Sequence, residues 1–171
     1  MRADRLTLQE GVTAMDFSTP TFEMNAPDVL LNFPSGEFAV RKALAAILSG
    51  LEFLDLDTEE RGTVELVLAE VLNNVVEHAY GAQTPGWIEV ACAHRADGLH
   101  FAIRDEGKEL PKGSLPIGKL PEFGDDLAAL PEGGFGWFLI QDLAKDVVYR
   151  RVGNRNTLTL RISICKTHTP N

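Results

Sequence analysis

Glu70-Val71-Leu72-Asn73-Asn74-Val75-Val76-Glu77-His78-Ala79-Tyr80 closes a segment with two distinct sides. A spacing of four sets Glu70, Asn74 and His78 in one row along a helix. Val64, Val67, Leu68, Val71, Leu72, Val75 and Ala79 recur at three and four and make an apolar stripe on the other side, as in a helix that faces a core. One side builds the fold and the other is free for chemistry. A Glu can serve as a general base, and an Asn one turn on offers a neutral oxygen suited to a hard cation such as Mg²⁺. Taken alone, a polar row of this kind is usually the solvated side of an amphipathic helix.

Two later segments add to it. Leu99 to Ile103 alternates as a strand does and leads into Arg104-Asp105-Glu106-Gly107-Lys108. An Asp at a strand end can accept a hydrogen bond from a ligand amine, and a nearby Gly lets a ligand approach the backbone. The same letters also spell an ordinary Asp/Gly turn. Further on, Gly133-Gly134-Phe135-Gly136 runs straight into the helical pattern Trp137-Phe138-Leu139-Ile140. Glycines at a helix start expose N–H groups and the positive dipole end, which favour phosphate.

Along the chain, residues 1–27 keep no sustained period and read as an extension, with a short strand near 21–25. The remainder, 28–171, reads as one domain. Val29 to Phe33 is expected as a strand, followed by a helix carrying Val40, Leu44, Ile47, Leu48 and Leu51. The central helix should start at Asp57, with Glu60 completing a capping box, and stop at Gly81. Gly86 to His94 and Leu99 to Asp105 are expected to form a hairpin. Glu106 to Glu132 is a long loop without period, of the kind that is usually functional or disordered. After the Gly134 helix come strands Val147 to Val152 and Leu158 to Ile164, joined by Gly153-Asn154-Arg155-Asn156. This order predicts an α/β (α+β) two-layer sandwich: a mixed, mostly antiparallel sheet with its helices on one face.

With 171 residues and 44% apolar content, the chain can bury one core. No run reaches membrane-spanning length and the charged start does not read as a signal peptide, so a cytoplasmic location is expected. A formal charge of −9 argues against nucleic acid and for protein partners. Cys92 and Cys165 lie in no metal-binding pattern, and Cys92 reads as a small core residue.

In this order and at these separations the three segments resemble the N box and the two glycine boxes of the GHKL ATPase superfamily. Within it, the His78-Ala79-Tyr80 ending, the Glu132-to-Gly136 entry and the short length resemble the bacterial anti-sigma-factor serine/threonine kinases of the RsbW type. The likeness spans roughly Val29 to Ile164. It departs at Glu109, where many GHKL proteins carry a second Gly. The resemblance implies a Bergerat-type sandwich with an ATP lid over 106–132, and the cofactors ATP and Mg. It implies Glu70 as catalytic base and Asn74 as the Mg²⁺ ligand. Asp105 would accept from the adenine amino group, Gly107 would let the base pack closely, and Gly134, Phe135 and Gly136 would meet the phosphates. Lys108, with Lys112 and Lys119, would contact phosphate from the lid; His78 would line the pocket and Thr157 would approach the adenine from the last strand.

The function so implied is phosphorylation of a STAS-type anti-sigma-factor antagonist and sequestration of a sigma factor, by a homodimer. A nucleotide-binding module that sequesters a partner without catalysis is the alternative. The catalytic half of a histidine kinase is disfavoured, because the residues before Val29 supply no dimerising hairpin with a phosphoacceptor His. The chaperone and topoisomerase types need further domains.

Overall fold

The computed structural model describes residues 26–81, 85–116 and 135–165. The expected extension therefore lies outside the described residues except for its last two positions, and most of the lid loop does too. Five strands form one sheet in the order β1-β2-β3-β5-β4: β1 is Val29–Pro34, β2 Trp87–Arg95, β3 Gly98–Asp105, β4 Lys145–Val152 and β5 Arg155–Ile162. All four pairings are antiparallel. Helices α1 (Glu37–Gly50), α2 (Thr58–Asn74) and α3 (Phe135–Leu143) supply the second layer, with α2 packed between the other two.

Strand alternation explains the layering. Ile88, Val90 and Cys92, then Leu99, Phe101 and Ile103, then Leu158, Leu160 and Ile162 are buried, and they share one core with Val64, Val67, Leu68, Val71 and Leu72 of α2. Burying a large apolar side chain contributes about 1.5–3 kcal/mol, so this interface dominates the stability of the fold. Cys92 is fully buried and packed in that core, and burial pushes its thiol pKa up to about 12.

The start of α2 follows its sequence closely. Asp57 Oδ1 accepts from the Glu60 N–H at 2.8 Å, and Glu60 Oε2 accepts from the Asp57 N–H at 3.0 Å, a reciprocal capping box. Glu60 has a second duty, because its Oε1 accepts from the Cys165 N–H at 2.7 Å and ties the end of the sheet to the helix. The other end departs from a regular α-helix. Val75–Tyr80 widens into a π-helical turn, closed by the Gly81 N–H donating to the Val76 carbonyl at 2.8 Å. Such turns are rare inside α-helices and are found frequently at functional sites.

Both hairpins are tighter than expected. Arg95 pairs with Gly98, leaving Ala96-Asp97 as the loop, and Val152 pairs with Arg155, leaving Gly153-Asn154. The second contraction draws Arg155 and Asn156 into β5, where the sequence reads as a turn.

Candidate functional site

A cleft opens between the end of α2 and the ends of β3, β4 and β5. Its lining includes Asn74, His78, Asp105, Lys108, Glu109, Trp137, Tyr149 and Asn156 over a floor of Val71, Val75 and Leu158. Its volume is about 430 Å³ counted to the mouth, while the interior leaves about 30 Å³, space for a single water.

Asp105 is 7% exposed. Its Oδ1 accepts from the Gly107 N–H at 2.8 Å and from Asn156 Nδ2 at 2.7 Å, while Oδ2 takes no hydrogen bond from the described residues. Burial raises its pKa, opposed by those two bonds and by the nearby Arg151 guanidinium. The result is a carboxylate held rigidly by one oxygen, with the other left as an acceptor.

Gly107 is required for a different contact from the one its sequence context implies. A Cβ there would lie 2.6 Å from the Ala79 carbonyl oxygen and 2.7 Å from its carbon, so the loop lies directly on the π turn. The Lys108 N–H donates to that same carbonyl at 2.7 Å. Tyr80 secures the other side: its hydroxyl donates to the Trp87 carbonyl at 2.7 Å and accepts from the Glu106 N–H at 3.0 Å, and burial raises its pKa. The π turn thus holds the Asp105 loop on both flanks.

Asn74 Nδ2 is buried with no hydrogen-bond partner. An unmet buried amide costs about 1–3 kcal/mol unless something fills the need. The two ends of a carboxamide are nearly isosteric, so a half-turn brings Oδ1 to the same place and offers a hard oxygen to a cation. Among the described residues no group of three or more His, Cys, Asp or Glu is placed to hold a metal. Mg²⁺ does not need one, since it keeps waters and takes its remaining ligands from one or two side chains and from phosphates. Asn74 fits that limited role.

Glu70 stands one turn before Asn74, half-buried and outside the cleft lining. A Cβ on Gly136 would meet Glu70 Oε2 at 2.5 Å and Asn74 Nδ2 at 3.7 Å, so the first turn of α3 lies directly over this pair. A carboxylate is favoured beside a helix start. Phe135 is 45% exposed, its ring 6.0 Å from that of Phe138, and it does not line the cleft. Lys112 is exposed in the turn Pro111–Gly113. Gly134 and Lys119 lie outside the described residues.

Thr157 requires a correction. Asn156, Leu158, Leu160 and Ile162 alternate to the helix side of β5, and the period of two sends Thr157 to the opposite side. Asn156 lines the cleft instead, together with Tyr149. A two-residue Gly153-Asn154 turn would have placed Asn156 in phase with the apolar residues of β5.

A sheet backed by helices, with a buried carboxylate and a partnerless amide lining one cleft, suits an ATPase-like α/β domain. A family model described as the Histidine kinase-like ATPase domain matches residues 33–162. The chain belongs to that family. It is 33% identical over 87 residues to a protein named Serine-protein kinase RsbW of Oceanobacillus iheyensis, covering 49% of this chain and 54% of the relative. It therefore spans about half the length of that relative. It is 23% identical over 117 residues to the Anti-sigma F factor of Geobacillus stearothermophilus, covering 68% of this chain and 78% of the relative. The RsbU and RsbW domains of a Mycobacterium tuberculosis protein share the fold, with a TM-score of 0.52 at 16% identity over 81% of this chain and 33% of the other. No helix among the described residues is long and apolar enough to cross a membrane.

Proposed function

We propose that this protein is an ATP-dependent serine/threonine kinase that phosphorylates a STAS-type antagonist and sequesters a sigma factor, acting as a homodimer in the cytoplasm. The observation that carries the reading is the pairing of Asp105, with one oxygen held and one unengaged, with the orphaned amide of Asn74 across one cleft. The first suits an exocyclic amine. The second suits a phosphate-bound cation. The similarity to proteins named as an anti-sigma factor and a serine-protein kinase supports the direction.

In this reading Asp105 accepts from the adenine amine and rejects guanine, which carries a carbonyl at that position. Asn74 holds Mg²⁺, which when bound neutralises phosphate charge and lines up the transferring group. Glu70 takes the proton of the attacking hydroxyl. Gly134, Phe135 and Gly136 offer backbone N–H groups at that helix start, Lys108 adds charge from the lid root, and His78 forms the exposed wall.

The test is to incubate the protein with Mg²⁺, labelled ATP and a small STAS-type protein that it binds. Phosphoserine or phosphothreonine on that protein is the expected product. If none forms while the two still bind, the chain is a sequestering module without catalysis.

A further inference from the structure

Arg151, Asn156 and Asp105 lie in one transverse row across β4, β5 and β3, each directly opposite the next. Their side chains share the helix side of the sheet and form a connected chain of hydrogen bonds. Asn156, 3% exposed, accepts at Oδ1 from the Tyr149 hydroxyl at 2.6 Å and from Arg151 Nη1 at 2.5 Å. Both partners are donors, so the polarity of the amide is fixed and Nδ2 must face Asp105. Nδ2 then donates to Asp105 Oδ1 at 2.7 Å and lies 3.1 Å from the Lys108 carbonyl.

Tyr149, Arg151 and Asn156 also hold the backbone of Gly107 to Leu110. Arg151 Nη1 donates to the Gly107 carbonyl at 3.0 Å, and the Tyr149 hydroxyl accepts from the Leu110 N–H at 3.2 Å. Tyr149 is therefore a relay, taking a hydrogen bond from the lid root and giving one to Asn156. Two of the three residues come from β4, an edge strand that among the described residues pairs only with β5. We propose that Tyr149 and Arg151, acting through Asn156, are positioning residues that choose which oxygen of Asp105 remains unengaged and fix the lid root at Gly107 to Leu110.

The consequence is selectivity as well as affinity. If the amide of Asn156 is fixed, Asp105 keeps an acceptor oxygen toward the ligand, and a base with a carbonyl at that edge is repelled. If the fixing is lost, Asp105 can rotate or take up a proton, and its preference for an amine over a carbonyl weakens.

This inference rests on the nucleotide-binding reading, and its test separates the two. Calorimetry would compare ATP with inosine triphosphate, which has a carbonyl in place of the adenine amine, on the wild type, on Asn156→Leu and on Tyr149→Phe. The wild type should prefer ATP. Asn156→Leu should weaken ATP by about tenfold or more and bring the ratio of the two affinities close to one, while Tyr149→Phe should lose about threefold to tenfold and shift the ratio the same way. Amide hydrogen exchange at Lys108 and Leu110 should quicken in both. A purely structural role would lower the melting temperature and leave the ratio unchanged, and that result overturns the proposal. If Asn156→Leu does not fold, Tyr149→Phe, which removes one hydroxyl, carries the test by itself. A wild type that binds neither nucleotide refutes the nucleotide reading instead.

Discussion

Replacing Asp105 by Asn changes one charge and almost no volume, so it separates what the carboxylate does for the fold from what it does for a ligand. Oδ1 can go on accepting from the Gly107 N–H and from Asn156 Nδ2, and the new NH₂ falls where Oδ2 was. Two effects then oppose ATP. A hydrogen bond to a charged acceptor, worth about 1.5–3 kcal/mol, is lost, and two donors now face one another, which costs about 1–3 kcal/mol more. The low ends together give about 2.5 kcal/mol, roughly 60-fold in affinity. Stability should move the other way. Burial raises the Asp105 pKa, so the folded state binds the proton more tightly than the unfolded chain, and this group's contribution falls as pH rises from the usual carboxylate range through the raised value. At neutral pH the variant escapes that penalty, and its stability should be unchanged or higher by up to about 1 kcal/mol. Titration calorimetry with ATP and thermal unfolding between about pH 4 and pH 8 read both quantities, and the wild type should gain relative to the variant on acidification. Undiminished ATP binding by the variant would refute the acceptor role. A loss of several kcal/mol in stability at neutral pH would show instead that the charge is a structural partner of Arg151.

Asn74→Ala removes an amide whose Nδ2 has no partner, so denaturant unfolding should show stability unchanged or raised by about 1 kcal/mol, while calorimetry shows Mg-ATP weakened roughly tenfold or more. Gly107→Ala forces a Cβ against the Ala79 backbone, which cannot swing aside as a side chain would, and urea denaturation should report a loss of about 1–3 kcal/mol. Glu70→Gln should bind Mg-ATP as the wild type does and lower phosphate transfer to the antagonist by about a hundredfold, measured with labelled ATP; equal transfer would remove Glu70 from the chemistry.

The elements with strong periodicity were legible in the sequence. The capping box at Asp57 and Glu60, the apolar stripe of α2 and the alternation in β3 each express one local rule, and each is present. The second hairpin was not legible in the same way. Asn154-Arg155-Asn156 has low strand propensity, and nothing local reveals that Asn156 pairs with Asp105, a residue 51 positions earlier. The π turn was also hidden, because Val75 to Tyr80 carries no Gly or Pro to mark an irregular helix. Its cause is tertiary: Tyr80 reaches the Trp87 carbonyl and the Glu106 N–H, and Ala79 receives the Lys108 N–H.

These exceptions to local rules gather at one place. A buried amide without a partner, a carboxylate whose pKa is raised by burial, a π turn and a glycine pressed against backbone each cost stability, and all line the cleft or brace it. Away from the cleft, Gly98 at the β2–β3 turn is a similar exception, since a Cβ there would meet the Ile162 carbonyl oxygen at 2.3 Å, while Val64 to Leu72 and the apolar residues of β2, β3 and β5 form an ordinary core. Sequences are locally consistent where only folding is at stake, and inconsistencies are tolerated where a site needs them. The gathering of four such costs around one cleft therefore supports a functional role there without appeal to other proteins. It also explains why Asn74→Ala and Asp105→Asn should leave the fold as stable as before or more so.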